Sequence, residues 1–191
     1  MVWILIAIIV GVIGLDQLTK WLTVHFLELH ESFPLWEDVF HFTYERNTGM
    51  AFSLLSDQRW IFMTFSTVAI VALTVYLFRF RPQSKWMQVS MAMIIGGGIG
   101  NMIDRIFLGY VIDFLDFTLI NFAVFNVADS FVCVGAGILI VCLFVDMLRE
   151  AKKEKLAKGQ GTNAPAEEPQ TDAAPAESTE KTEQDDEDRV E

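Results

Sequence analysis

Residues 96–106 read GGGIGNMIDRI, and this stretch decides what kind of chain this is. Between Trp86 and Ile103 no ionisable side chain occurs, a run of about 18 residues that matches the length a helix needs to span a bilayer. Asp104 and Arg105 then stand side by side. A lone Asp-Arg at the end of such a helix ordinarily marks its emergence into water. Whether it does more here depends on what the other long apolar segments carry at the same depth.

Four segments are long and apolar enough to span: 2–21, 60–78, 86–106 and 129–148. The chain reads as an α-helical integral membrane protein with four transmembrane helices. Its formal charge of -11 sits oddly beside 52% hydrophobic residues until the chain is divided near Glu150. Beyond that point EEPQTDAAPAESTEKTEQDDEDRVE is nearly free of large apolar side chains, a composition that cannot bury enough surface to fold. A four-helix domain over 1–150 and a disordered, acidic, solvated tail over 151–191 are therefore expected. MVWILIAIIVGVIGLDQLTKW lacks the basic n-region and small-x-small site of a cleaved signal peptide, so it is taken as the first span. RFRPQSK joins the second and third spans and REAKKEKLAK follows the fourth, while the other two connections are poorer in Lys and Arg. By the positive-inside rule both termini face the cytoplasm. The connections 22–59 and 107–128 then lie on the outer side, periplasmic where there is an outer membrane. Cys133 and Cys142, on one helix, are too far apart to bridge and read as packing residues.

Counting at 1.5 Å per residue from the cytoplasmic ends puts Asp104 roughly 27 Å along the third span and Asp129 roughly 30 Å along the fourth. Both reach the outer edge of a hydrocarbon core about 30 Å thick, where ionisable residues are functional candidates. Gly97, Asn101, Asp104 and Arg105 share one helical face by their i, i+4, i+7, i+8 spacing. Asn126 stands a turn before Asp129 if the fourth helix extends back that far. Gly96 with Gly100, and Gly135 with Gly137, are small enough to let helix backbones approach. Asp16 and Lys20, spaced i, i+4, can form an ion pair of structural purpose; Lys20 could lend the site a positive field or snorkel to headgroups.

In the first outer connection Phe40, Phe42 and Tyr44 alternate with Val39, His41 and Thr43, the period of a half-buried strand, and NTG at 47–49 reads as a turn into a second short strand. A small β-sheet on the outer surface follows, with Asn47 at the turn, capping the loop or binding something extended beside the sheet. Two carboxylates forced together in a low-dielectric site share a proton and can polarise water for attack on a carbonyl. His25, His30 and His41 show no metal-ligand spacing and no G-x-S-x-G elbow is present. A proton channel or transporter also uses intramembrane aspartates, but here they gather at one surface and no inverted repeat is visible. A scaffold recruiting partners through its acidic tail leaves the paired Asn-to-Asp spacings without purpose.

LDQLTK (15–20), NTGMAFS (47–53), GGGIGNMIDR (96–105) and FNVADS (125–130) occur in the order and topological positions of the signature segments of the lipoprotein signal peptidase family, bacterial signal peptidase II, which the chain resembles over nearly all of 1–150. The resemblance implies an intramembrane aspartyl endopeptidase of the bacterial cytoplasmic (inner) membrane. It would remove signal peptides from diacylglyceryl-modified prolipoproteins, cutting before the lipidated lipobox cysteine. Carried onto this sequence, the catalytic dyad falls on Asp104 and Asp129. Asn47, Asn101, Arg105 and Asn126 become substrate-binding residues, Asp16, Lys20 and Gly97 support the site, and the outer strands form a cradle for the peptide. No metal, cofactor or nucleic acid is expected, the partners are lipidated prolipoproteins and membrane lipids, and the chain is expected to be a monomer. Met50 stands where the family commonly has a small residue and Gly98 where it commonly has Ala; the first could reshape a pocket wall.

Overall fold

The computed structural model describes residues 1–49 and 59–160. Its long helices are α1 (Val2–Phe26), α2 (Arg59–Val75, continued by a π-helical turn over Tyr76–Phe80), α3 (Lys85–Phe107) and α4 (Val127–Gln160). Among the described residues, three helical stretches are long and apolar enough to cross a membrane: Val2–Phe26, Met63–Phe80 and Val127–Leu156, with mean hydropathies of 2.2, 1.7 and 2.6. At most 17% of any of these windows is buried against protein. Trp3 and Phe65 are 82% and 77% exposed. A helix apolar all round and barely covered by its own chain has lipid as its natural surroundings. The chain is a membrane protein.

The third helix differs from the others. Met87, Ser90, Met91, Ala92, Ile95, Gly96, Gly97 and Gly100 of α3 are buried, and the core formed by Leu5, Leu77, Met87, Met91, Ala92 and Ile95 lies along it. Covered by neighbouring helices, α3 can carry Ser90, Asn101 and Asp104 on buried positions, which lowers its hydropathy below that of its neighbours. Ser84 caps its start by accepting the Met87 N–H at 3.4 Å.

Gly96, Gly100 and Gly135 bring the helices into contact as expected, whereas Gly137 does not: a Cβ there would meet nothing within 4 Å. A Cβ on Gly96 would stand 2.9 Å from the Val12 side chain of α1, and one on Gly135 would stand 2.8 Å from the Ser90 carbonyl oxygen. One on Gly97 would strike the Ala128 carbonyl oxygen at the start of α4. Two helices run further than their apolar stretches: α1 continues past Trp21 to Phe26, and α4 past Leu148 to Gln160. The segment AKKEKLAK consists of strong helix formers and extends α4 without needing burial. Residues 161–191, most of the expected tail, lie outside the described residues.

The strands β1 (Ser32–Trp36), β2 (Phe40–Asn47) and β3 (Val111–Asp116) form one antiparallel sheet in the order β1-β2-β3. The strand expected near 39–44 is β2. Its partners are β1, just before it, and β3, from the connection between α3 and α4, with Asn47 opposite Val111. The strand expected after NTG, and Met50, fall on residues outside those described. Gly109, at φ +83°, turns the chain from the end of α3 into β3. The other edge of β3 is closed: the Phe114 and Leu115 N–H groups donate to the Phe125 carbonyl at 3.0 and 2.8 Å. That pairing delivers the chain to the first residue of α4 directly beside the sheet.

Candidate active site

The ends of α1, α3, β2 and β3 and the start of α4 meet in one polar cluster. Asp16, Lys20 and Thr23 form the buried face of α1, at the i, i+4, i+7 spacing that keeps them on one side. Lys20 is only 2% exposed. Its Nζ lies 2.9 Å from Asp16 Oδ2 and 2.9 Å from Asp104 Oδ2, and donates to Asn101 Oδ1 at 3.0 Å. The ion pair expected within α1 is therefore present, and Lys20 does not snorkel. It is drawn inward because two carboxylates and an amide oxygen meet its three N–H donors there.

Asp104 and Asp16 are fully served. Beyond Lys20, Asp104 accepts from Gln17 Nε2 at 2.9 Å and from the Ile112 backbone N–H at 3.1 Å. Asp16 accepts from the Ala128 backbone N–H at 3.0 Å and from Gln17 Nε2 at 3.2 Å. These two anions with one cation tie α1 to α3, to the first residues of β3 and to the first turn of α4. A Cβ on Gly100 would lie 2.6 Å from Asp16 Oδ2, so the glycine is what lets that carboxylate lie against α3.

A second pair of carboxylates is held differently. Asp113, the third residue of β3, is 2% exposed and is bonded by two side-chain amides, Asn47 Nδ2 at 2.9 Å and Asn126 Nδ2 at 2.7 Å. Asp129 accepts from Asn101 Nδ2 at 2.7 Å and from the Asn126 backbone N–H at 3.2 Å. The Asp113 carboxyl is pushed up to about 6, chiefly by burial; the Asn47 bond opposes this and the negative charge of Asp129 adds to it. No direct cation bond to either carboxylate occurs among the described residues. Asp113 and Asp129 thus lie in each other's field, with Asn126 bonded to both, whereas Asp104 is engaged with Lys20.

Every residue expected at the site reaches this cluster or its edge. Asn47 caps its own loop, its Oδ1 accepting the Gly49 N–H at 2.8 Å, while its Nδ2 bonds Asp113. Asn126 precedes the helix as its cap: its Oδ1 accepts the Asp129 N–H at 2.9 Å while Asp129 bonds back to its N–H, a reciprocal capping box. Arg105 is half-buried and donates Nη1 to the Asn101 carbonyl at 3.3 Å. Gly97 lies against α4, as described above. Asp113 and Gln17 were not among the expected residues. Gln17 sits inside LDQLTK, and Asp113 is signalled by an acid set between Val111, Ile112 and Phe114, since a carboxylate surrounded by apolar residues is costly and seldom idle.

Carboxyls gathered with a buried lysine where the helices meet a small sheet, one of them, Asp113, pushed up to about 6 by burial, mark a candidate acid–base site of a membrane enzyme. The family described as "Signal peptidase (SPase) II" matches residues 8–145, and the chain belongs to that family. It is a peptidase. The chain is 44% identical over 135 residues to the lipoprotein signal peptidase of Brevibacillus brevis, covering 71% of this chain and 91% of that protein. It is 38% identical over 157 residues to that of Bacillus subtilis, covering 81% of this chain and 98% of that protein. Among solved structures it resembles a bacterial membrane enzyme determined at 2.3 Å by the in meso method, with a TM-score of 0.71 and 30% identity over 77% of this chain and 91% of that one.

Proposed function

We propose that this chain is an intramembrane aspartyl endopeptidase that removes signal peptides from diacylglyceryl-modified prolipoproteins, cutting before the lipidated cysteine, and that its dyad is Asp113 with Asp129. The observation that carries the reading is the Asp113 carboxyl, buried, pushed up to about 6 and facing the Asp129 charge. Asp104, the partner expected from the motif resemblance, is reassigned to support. A carboxylate already bonded to Lys20, Gln17 and a backbone N–H has little left to offer a water.

The chemistry follows from the raised Asp113 carboxyl and its neighbour. In this reading Asp129 is the base that accepts a proton from water as its oxygen attacks the scissile carbonyl carbon, and Asp113, protonated, gives its proton to the carbonyl oxygen. The product is a neutral gem-diol. On collapse the C–N bond breaks, the nitrogen leaves with the proton held by Asp129, and Asp113 recovers one from a diol hydroxyl. Asn47, Asn101 and Asn126 hold the two carboxyls, and Arg105 faces the substrate backbone. Asp16, Lys20, Asp104 and Gly97 keep the frame. In this reading α3 is a fourth span, the basic ends of the helices face the cytoplasm and the sheet cradles the substrate on the outer side, at the surface of the bacterial inner membrane.

The test is cleavage of a synthetic diacylglyceryl-cysteine lipobox peptide by the purified chain in lipid. Asp113→Asn and Asp129→Asn each abolish cleavage with the protein still folded. Asp104→Asn lowers stability and retains a measurable rate with an unchanged pH profile. Full activity in Asp113→Asn, or a rate in Asp104→Asn as low as in Asp129→Asn with intact folding, returns the dyad to Asp104.

A further inference from the structure

Along α4, from Val134 to the end of the bundle where α3 starts, the described residues leave a groove of about 590 Å³ lined by Ser84 and Trp86 of α3 and by residues of α4 from Val134 through Gly137 and Asp146 to Arg149. Those residues of α4 rise about 22 Å, a length that suits an extended hydrocarbon chain lying along the helix.

Gly137 points to the same use. A Cβ there would meet nothing within 4 Å. Glycine inside a helix is unfavourable relative to alanine, and no neighbouring backbone demands it here, unlike at Gly97 and Gly135. What its missing side chain leaves is room in the groove. The mouth carries both signs of charge: Arg149 Nη1 lies 3.5 Å from Asp146 Oδ1 on otherwise mainly apolar walls. A guanidinium suits a phosphate and a carboxylate suits an ammonium. Trp86, 70% exposed, stands beside them as indoles do at a headgroup boundary. A lipid bearing phosphate alone would set a second anion against Asp146.

We infer that the groove holds one acyl chain of a membrane phospholipid whose head carries both a phosphate and a primary ammonium, the phosphate on Arg149 and the ammonium on Asp146. The site is independent of the catalytic reading. To test it, the full chain is reconstituted with phosphatidylethanolamine carrying a photoreactive acyl chain, and cross-links are mapped by mass spectrometry. Labelling falls between Val134 and Arg149, and unlabelled phosphatidylethanolamine competes about tenfold better than phosphatidylglycerol, the scale of one charge-assisted hydrogen bond. Gly137→Leu, which fills the groove, loses the labelling while peptide cleavage continues. Asp146→Asn, at an exposed position, keeps the labelling and loses the preference for the ammonium head. Equal labelling in Gly137→Leu, equal competition by the two lipids, or displacement by a synthetic signal-peptide helix or by a second copy of the chain overturns the inference.

Discussion

Replacing Asp113 by Asn should abolish cleavage and at the same time stabilise the protein in a pH-dependent way. The Asp113 carboxyl titrates at 3.8 in an unfolded chain and is pushed up to about 6 in the fold. Between these values the folded state binds the proton and the unfolded state does not, so stability falls as pH rises through that window. Above about pH 6 the full cost of the ionised, buried carboxylate is present: the difference of about 2 pH units corresponds to about 3 kcal/mol. Below about pH 4 the acid is neutral in both states and contributes nothing of this kind. Asparagine copies the neutral acid, offering one acceptor and one donor to the amides of Asn47 and Asn126. The stability of Asp113→Asn relative to wild type should therefore rise by about 3 kcal/mol between pH 4 and pH 8, while titrating groups that do not face Asp113 cancel in the comparison. The assay is reversible unfolding in mixed micelles at both pH values, alongside turnover of the lipidated peptide. Wild-type turnover should fall off above about pH 6, where the proton donor is lost. A stability difference independent of pH, or one that shrinks as pH rises, refutes the placing of Asp113 as a buried acid.

Lys20→Met leaves Asp16 and Asp104, both at most 3% exposed, without their counter-ion; removing one partner of a buried pair costs about 3–5 kcal/mol, and thermal unfolding in detergent should show it. Wild-type unfolding in that variant contradicts the account of the frame. Gly97→Ala should destabilise the protein by about 1–3 kcal/mol, as an added methyl in a closed contact does, whereas Gly98→Ala should cost less, since its Cβ meets only the Ile70 side chain at 3.0 Å. The same unfolding assay ranks the two. Asn126→Ala removes a helix cap worth about 1 kcal/mol together with the donor to Asp113, so it should lose both stability and turnover; a loss of stability alone would leave its amide no part in holding the acid.

The helices were legible because bilayer-length apolar runs require little more than counting, and β2 because its aromatic residues alternate. β3 was not, for a physical reason: Val111, Ile112, Asp113 and Phe114 are all buried, and a strand covered on both faces loses the period of two that reveals it. Asp113 was hidden with it. Depth counting put Asp104 and Asp129 at one level, and in the structure Asn101 bonds Asp129 while Lys20 joins it to Asp104. Height along a helix, however, does not fix azimuth, and azimuth is what turns Asp104 toward α1. Lys20 was readable as an ion-pair partner of Asp16 from its spacing; that it also serves α3 depends on which face α1 presents, which no single segment encodes.

The cluster separates two tasks that both fall to aspartate. The Asp16 and Asp104 carboxyls are matched by one lysine and by backbone N–H groups, an arrangement that fixes their position. Asp113 and Asp129 are matched by side-chain and backbone amides, which hold geometry without supplying a counter-charge. Asn101 joins the two halves. Its Oδ1 receives both Lys20 Nζ and Asn126 Nδ2 at 3.0 Å, which turns its own N–H donors toward Asp129. Asn126 is oriented in the same manner, since its Oδ1 caps the Asp129 N–H and its Nδ2 must then face Asp113. The orientation of each amide is thus dictated by the charged frame behind it. Lys20 reaches Asp113 and Asp129 through Asn101 without bonding to either, so the cation sets the orientation of the amides around them and leaves both carboxyls free of a direct ion pair among the described residues.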